Sequence, residues 1–324
     1  MRVLVTGIDG FVGSHAAEYL LGIGVDEIHG TILSKEPAPQ VRHLASRLHL
    51  HIADITDRET IRQLFEEVRP DRVIHLAAQA FVPAAVQDPA RTFHTNILGG
   101  LSILESGRLL AARQHLCSIL IVSSGEVYGR VPADRQPITE EYPLDPNNPY
   151  ATSKAGIDLI AREYRRTFGV DVIVARPFNH AGPRQSPQFV CSDFGHHFAL
   201  IAAGKAPAVI RAGNLEARRD FTDVRDVVRA YWLLFDRRTD ESLFNVCSGR
   251  PYAIREVIEL FMEITGVPVE LQHDPARFRP YDNPLVLGSF DRLNAATGWT
   301  PAIPFRQTLQ DVFADWQETL SSRT

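Results

Sequence analysis

The sequence predicts an α/β fold, a doubly wound parallel sheet with a smaller lobe in its C-terminal half. Three observations predict it. Short apolar segments alternate with amphipathic ones from the first residues to about residue 176. A glycine-rich turn, Gly7-Ile8-Asp9-Gly10-Phe11-Val12-Gly13, follows the first apolar segment directly. After residue 176 the alternation weakens, and it returns only at about 222–248. The expected division is therefore a unit over 1–176 with a returning segment at about 222–248, and a lobe built mainly from 177–221 and 249–324. No internal repeat or low-complexity linker separates the two, so both are expected to fold together.

In chain order, residues 2–6 read as a short buried strand that runs straight into the glycine turn and then a helix over about 14–21. Glycines there permit a tight turn and let backbone N–H groups approach a pyrophosphate at the positive end of the helix. The Gly-x-x-Gly-x-x-Gly spacing is looser than Gly-x-Gly-x-x-Gly, and alone it marks only a strand-to-helix turn. The second strand at 28–33 supplies the missing context, which makes Gly7, Gly10, Phe11, Val12 and Gly13 the expected dinucleotide turn. At the tip of that second strand an acidic residue would hold a ribose 2′-hydroxyl and repel a 2′-phosphate. The segment Gly30-Thr31-Ile32-Leu33-Ser34-Lys35 has none, so Ser34 and Lys35 favour NADP(H) over NAD(H), the alternative being a solvated lysine.

A third strand is expected at 48–53, ending at Asp54-Ile55, then an amphipathic helix at 57–68 and a fourth strand at 73–77 leading into Ala78-Gln79-Ala80. A long helix is expected over about 88–110, with Asn96 inside it either functional or a satisfied buried amide. Residues 119–122 form the central fifth strand and 170–175 the sixth. Between them, five prolines from Pro132 to Pro149 exclude regular structure, and a helix is expected from Tyr150 to about Phe168. In such a Rossmann-type sheet, ligands gather at the carboxyl ends of the strands.

The fifth strand delivers Ser123-Ser124-Gly125-Glu126-Val127-Tyr128-Gly129, and the following helix opens with Tyr150-Ala151-Thr152-Ser153-Lys154. Four-residue spacing puts the Tyr150 phenol and the Lys154 ammonium on one helix face. A cation beside a phenol stabilises phenolate and draws its pKa toward the working range, and Ser124 can offer a second hydrogen bond to the same substrate oxygen. By itself a Tyr-x-x-x-Lys pair is more often a solvated helix face.

Bulk composition narrows the class. A formal charge of −5 over 324 residues carries no basic excess for nucleic acid. Cys117, Cys191 and Cys247 are odd in number and far apart, which points to reduced thiols and a cytoplasmic setting. No apolar run approaches the ~20 residues of a membrane span. Neither His49-x-His51 nor His196-His197 has metal-ligand spacing, and no metal is expected.

The glycine turn, the Ser124 strand end and the Tyr150/Lys154 pair together resemble the extended short-chain dehydrogenase/reductase family, in its nucleotide-sugar branch, over nearly the whole chain. The resemblance implies a catalytic set of Ser124, Tyr150 and Lys154, with Glu126 where dehydratases of the family keep a glutamate. It also implies cofactor contacts at Asp54, Ile55, Leu76, Ala77 and Ala78, with Tyr150 and Lys154 at the nicotinamide end, and a structural place for Asn96 beside the site. Asn179 in Asn179-His180-Ala181-Gly182-Pro183-Arg184-Gln185, Val190 in the next helix, Arg219, Arg279 and Asp282 would bind the sugar nucleotide, with Asn179, Arg219 and Arg279 on its diphosphate. The string Gly213-Asn214-Leu215-Glu216-Ala217-Arg218-Arg219-Asp220 resembles enzymes of GDP-linked sugars.

What the resemblance implies for function is a reductase moving hydride from NAD(P)H to the 4-keto group of a GDP-4-keto-6-deoxyhexose, giving a GDP-6-deoxyhexose such as GDP-rhamnose. The alternatives are a GDP-mannose 4,6-dehydratase, a nucleotide-sugar epimerase and, from another class, a non-catalytic NADP-binding sensor. The helices near 93–110 and 151–168 would pair with a second copy in a homodimer, with a tetramer as the larger alternative.

Overall fold

The computed structural model describes residues 1–274 and 283–322. Its strands are β1 (Arg2–Thr6), β2 (Glu27–Ile32), β3 (His49–Ile52), β4 (Arg72–His75), β5 (Ser118–Val122) and β6 (Val172–Pro177), followed by the shorter β7 (Asn179–Ala181), β8 (Val209–Ala212) and β9 (Arg218–Asp223). β10 (Leu243–Val246), β11 (Pro251–Ala253), β12 (Glu270–His273) and β13 (Leu285–Val286) complete the set. A seven-stranded parallel sheet in the order β10-β6-β5-β4-β1-β2-β3 forms the Rossmann-like body. The chain reverses direction across the sheet between β1 and β4, which opens a crevice at the carboxyl ends of those strands.

Helices α1 (Phe11–Gly22), α2 (Pro39–Arg42), α3 (Arg58–Val68), α4 (Val82–Gln87), α5 (Pro89–Phe93), α6 (Gly99–Ala112) and α7 (Pro149–Phe168) precede β6. After it come α8 (Val190–Ala202), α9 (Val224–Leu233), α10 (Ile254–Thr265), α11 (Asp291–Thr297) and α12 (Phe305–Ser321). Alternation along the strands sorts the layers, because successive side chains point to opposite faces. Val3, Val5, Ile28 and Ile173 face one way and pack with Leu20 of α1 and Val227 and Tyr231 of α9. Leu4, Val73, Ile119 and Val172 face the other way, against Phe65 of α3, Leu104 of α6 and Ile157 of α7. A separate core of Phe194, Phe198, Phe221, Phe261 and Phe305 underlies the smaller sheets formed by the later strands.

The long helix expected at 88–110 differs in detail. Asp88 caps α5 through its side chain, and α5 joins α6 through a π-helical turn, His94–Leu98, that holds the buried Asn96. A π turn re-aims its side chains relative to a regular helix. Asn96 uses this to accept from the Gln79 backbone N–H at 2.8 Å while donating to the Gln79 carbonyl at 2.9 Å and to Ser153 Oγ at 2.8 Å. Ser153 Oγ donates in turn to the Tyr150 carbonyl at 2.7 Å, so the loop after β4 is pinned to the first turn of α7.

That first turn is well specified. Pro149 occupies its opening, where the missing N–H costs nothing, and Asn148 caps it by accepting from the Ala151 N–H at 2.9 Å. Deeper in α7, the buried Asp158 accepts two bonds from the buried Arg176 of β6, from Nε at 2.8 Å and Nη2 at 3.1 Å. Arg176 Nη1 also donates to the Tyr128 hydroxyl at 2.9 Å, which donates to Asn245 Oδ1 of β10 at 2.7 Å.

Candidate active site

The glycine turn closes on the loop after β4. Gly7 has φ +68°, and a β-carbon there would lie 3.1 Å from the Ala77 Cα. A β-carbon on Gly13 would lie 2.2 Å from the Gly7 carbonyl oxygen, so only glycine lets α1 start this close to the turn. Gly7, Gly10 and Gly13, with Ala77 opposite, thus form a close backbone turn that could hold a pyrophosphate. Phe11 lies parallel to the His180 ring, with centroids 6.0 Å apart, and Val12 packs on the core beneath.

The other cofactor-side residues are placed as follows. Asp54 accepts from the Thr56 N–H and hydroxyl at 2.9 and 2.8 Å, and Ile55 is buried where a side chain on Gly99 would strike it. Leu76 and Ala77 direct their backbone N–H groups to Thr6 Oγ1, and Ala78 leads into the Gln79 anchor. Lys35 is exposed and Ser34 Oγ donates to the Glu36 carbonyl at 2.6 Å. The loop bearing them is tied to the glycine turn by the Ala38 N–H, which donates to Asp9 at 3.3 Å.

At the ends of β5 and α7 the fold brings Ser124, Tyr150 and Lys154 together. The Ser124 side chain lies close enough to the Tyr150 phenol to act on it, and its Oγ accepts from the Glu126 N–H at 3.1 Å. Lys154 is buried and donates to the Val122 carbonyl at 2.8 Å. Burial, and then the Glu126 carboxylate, push the Tyr150 phenol above its ordinary value, although the Ser124 hydroxyl works the other way. This departs from the phenol lowered by Lys154 that the i, i+4 spacing suggests. The ammonium is committed to a backbone carbonyl, and burial draws its own pKa down to about 8.

His75 sits behind this group, and sequence reasoning passed over it. Thr6 Oγ1 accepts from the Leu76 and Ala77 N–H groups at 3.1 and 3.2 Å, so its one hydrogen goes to His75 Nδ1 at 2.8 Å. That assigns the ring proton to Nε2. Burial first, and then the Lys154 charge, bring the His75 pKa to about 3, which leaves Lys154 beside a neutral ring.

Two further residues act on the catalytic turn. Asn148 Nδ2 donates to Glu126 at 3.1 Å, an association its place before Pro149 would not reveal. Phe178 fills the space beside Gly125, where a β-carbon would lie 3.0–3.2 Å from its ring atoms. On the lobe side, Asn179 is exposed in β7 and Val190 opens α8. Arg219 Nη1 donates to the Arg218 and Asn283 carbonyls at 2.8 and 2.6 Å. Arg279 and Asp282 lie outside the described residues.

A family model described as GDP-mannose 4,6 dehydratase matches residues 4–312. The chain belongs to the GDP-mannose 4,6 dehydratase family. Within it, the chain is 39% identical to a GDP-6-deoxy-D-mannose reductase of Pseudomonas aeruginosa, over 98% of this chain and 97% of that protein. It is 30% identical to a GDP-mannose 4,6-dehydratase of Vibrio cholerae, covering 97% of this chain and 92% of that one. Among solved structures, RMD from Pseudomonas aeruginosa complexed with NADPH matches with a TM-score of 0.84 and 36% identity, over 98% of this chain and all of that one. Among the described residues no helix is long and apolar enough to cross a membrane.

The buried lysine gives a pH signature. Between about 8, its value in the fold, and the ordinary lysine value of 10.5, the unfolded chain binds the proton that folded Lys154 has lost. Stability of the wild type relative to Lys154→Met should therefore rise as pH increases through that window. Denaturant unfolding of both proteins across it checks this, and a flat difference would show that Lys154 titrates as in water.

Proposed function

We propose that the chain is an NAD(P)H-dependent reductase of a GDP-linked 4-keto-6-deoxyhexose, forming a GDP-6-deoxyhexose such as GDP-D-rhamnose. The observation that carries this reading is the 39% identity to the Pseudomonas reductase along almost the full length of both chains, against 30% to the Vibrio dehydratase. NADPH in the related solved structure supports NADP(H) as the preferred cofactor, with NAD(H) as the alternative.

When bound, the reduced nicotinamide supplies the hydride that reaches the sugar C4. In this reading the ketone oxygen lies between the Ser124 and Tyr150 hydroxyls, which polarise it and then stabilise the alkoxide. Tyr150 gives its proton to that oxygen. A phenol raised by burial and by Glu126 begins the cycle protonated at neutral pH, as proton donation requires. Lys154 then faces the phenolate and holds the nicotinamide ribose. Burial and Glu126 keep Tyr150 protonated, and Arg219 with Arg279 grips the diphosphate from the lobe of 177–221 and 249–324.

A dehydratase is the second reading, favoured by Glu126 beside Tyr150. Phe178 pressed on Gly125 speaks only against a dehydratase that needs an acidic pair directly after Ser124, because a second carboxyl there would have to shift the ring. Three buried free cysteines fit a reducing, cytoplasmic setting. On the outer helices, Leu98 and Leu159 each expose about half of their surface, 48% and 51%, which favours a homodimer through these helices.

With the 4-keto sugar nucleotide, NADPH should be consumed one for one with product. Tyr150→Phe should lose at least ~10²–10⁴-fold in turnover at unchanged NADPH affinity. Conversion of GDP-mannose to a 4-keto sugar without added cofactor would refute the reductase assignment. Sedimentation at micromolar concentration should give a dimer, and a monomer alone would refute the pairing.

A further inference from the structure

Helix α1, which begins in the glycine turn, presents Phe11, His15 and Glu18 at i, i+4 and i+7, a single stripe along one face. All three meet the segment that follows β6. Phe11 lies parallel to His180 at 6.0 Å between centroids. His15 Nε2 bonds the Pro183 carbonyl at 3.0 Å. Glu18 receives a bidentate fork from Arg184, through Nη1 at 2.5 Å and Nη2 at 2.7 Å.

Arg184 Nη2 also donates to His15 Nδ1 at 2.8 Å. Because Nδ1 accepts, the His15 proton sits on Nε2 and donates to Pro183, so the neutral ring bridges helix and segment in one sense only. Burial, and then Arg184 itself, lower the His15 pKa to about 4, which keeps the ring neutral.

The backbone at Arg184 has φ +69°, a conformation that side-chain-bearing residues avoid and that persists only where surrounding contacts over-determine it. Here the contacts are the fork to α1 and the Arg184 N–H, which donates to Asp315 of α12 at 2.8 Å. The same segment begins at Asn179 and continues through Gln185, whose Nε2 donates to the His180 carbonyl, toward Val190. One end of it thus borders the proposed sugar-nucleotide side, and its middle is bolted to the helix that starts the dinucleotide cradle.

We propose that the Arg184–Glu18–His15 bridge couples the two ligand sites, so that occupancy of the sugar-nucleotide side tightens the hold on the dinucleotide and the reverse. The inference rests on the reading that both ligands bind as described above. Arg184, Glu18 and His15 act as positioning residues that touch neither ligand. Thermodynamic linkage makes the coupling reciprocal, so it can be read from either side.

The test is a titration of NADPH into the full chain with and without saturating GDP, using wild type, Glu18→Gln, Arg184→Met and Arg184→Lys. GDP should tighten NADPH binding in the wild type by about 5-fold or more, the lower end of ordinary allosteric couplings. In Glu18→Gln and Arg184→Met the factor should fall to near one, while NADPH binding without GDP changes less. Arg184→Lys, which keeps one bond to Glu18, should recover part of it. Glu18 is partly exposed, so Glu18→Gln keeps the test decisive even where Arg184→Met fails to fold. The same factor in wild type and Glu18→Gln, or no effect of GDP on the wild type, overturns the inference. Coupling without any turnover of the keto sugar would instead sink the reductase reading and leave the bridge standing.

Discussion

The arrangement of the catalytic groups depends on one buried ion pair. Asp158 stands four residues after Lys154 and eight after Tyr150, on the same face of α7, and it is fully enclosed with Arg176 of β6. Removing one partner of such a buried pair costs about 3–5 kcal/mol where the other charge is left uncompensated, and Arg162 of the same helix, 3.0 Å from Asp158, adds a second cation to it. Through Arg176 Nη1 the pair also fixes Tyr128, which follows Ser124 in the turn after β5. The hydroxyl of Ser124, the phenol of Tyr150 and the ammonium of Lys154 come from two separate elements. This pair locks those elements to one another and to the central sheet, while Asn96 and Ser153 fix the loop after β4 to the same helix.

Electrostatics then separate the roles of the three groups. Lys154 is buried, bonded to a main-chain carbonyl and backed by a neutral His75, and Tyr150 is protected from ionisation by burial and by Glu126. On the proposed reading, this holds a proton where an alkoxide would form. Phe178 crowds the same turn, so that a side chain at Gly125 beside Ser124 would require the ring to shift.

Much of this was legible in the sequence because it rests on local chemistry. The glycine turn, the apolar strand ending at Ser124 and the proline-rich stretch before Tyr150 each carry their own structural instruction, and strand alternation sorts the two faces of the sheet. What the sequence did not reveal depends on distant partners. Asp158 and Arg176 read separately as ordinary helix and strand residues, and Phe178 gave no sign of its contact with Gly125. The i, i+4 spacing of Tyr150 and Lys154 was visible, but the direction of the phenol's shift was not, because Val122 claims the ammonium and Glu126 approaches from the preceding turn. The π turn at His94–Leu98 also has no local signature, since it exists to aim Asn96 at two segments remote in sequence. Arg184 was visible only as a letter within a motif, although it is the residue that joins α1 to the lobe.

The central claim is that hydride passes from the cofactor to C4 of the sugar and that Tyr150 protonates the oxygen. Isotope tracing tests it most directly. NADPH carrying deuterium at its transferable position, supplied with the 4-keto-6-deoxy sugar nucleotide, should yield product with one deuterium at C4 and none at C6. Deuterium absent from C4, or GDP-mannose labelled at C4 delivering its own deuterium to C6 with loss of water, would contradict the account and establish internal transfer instead.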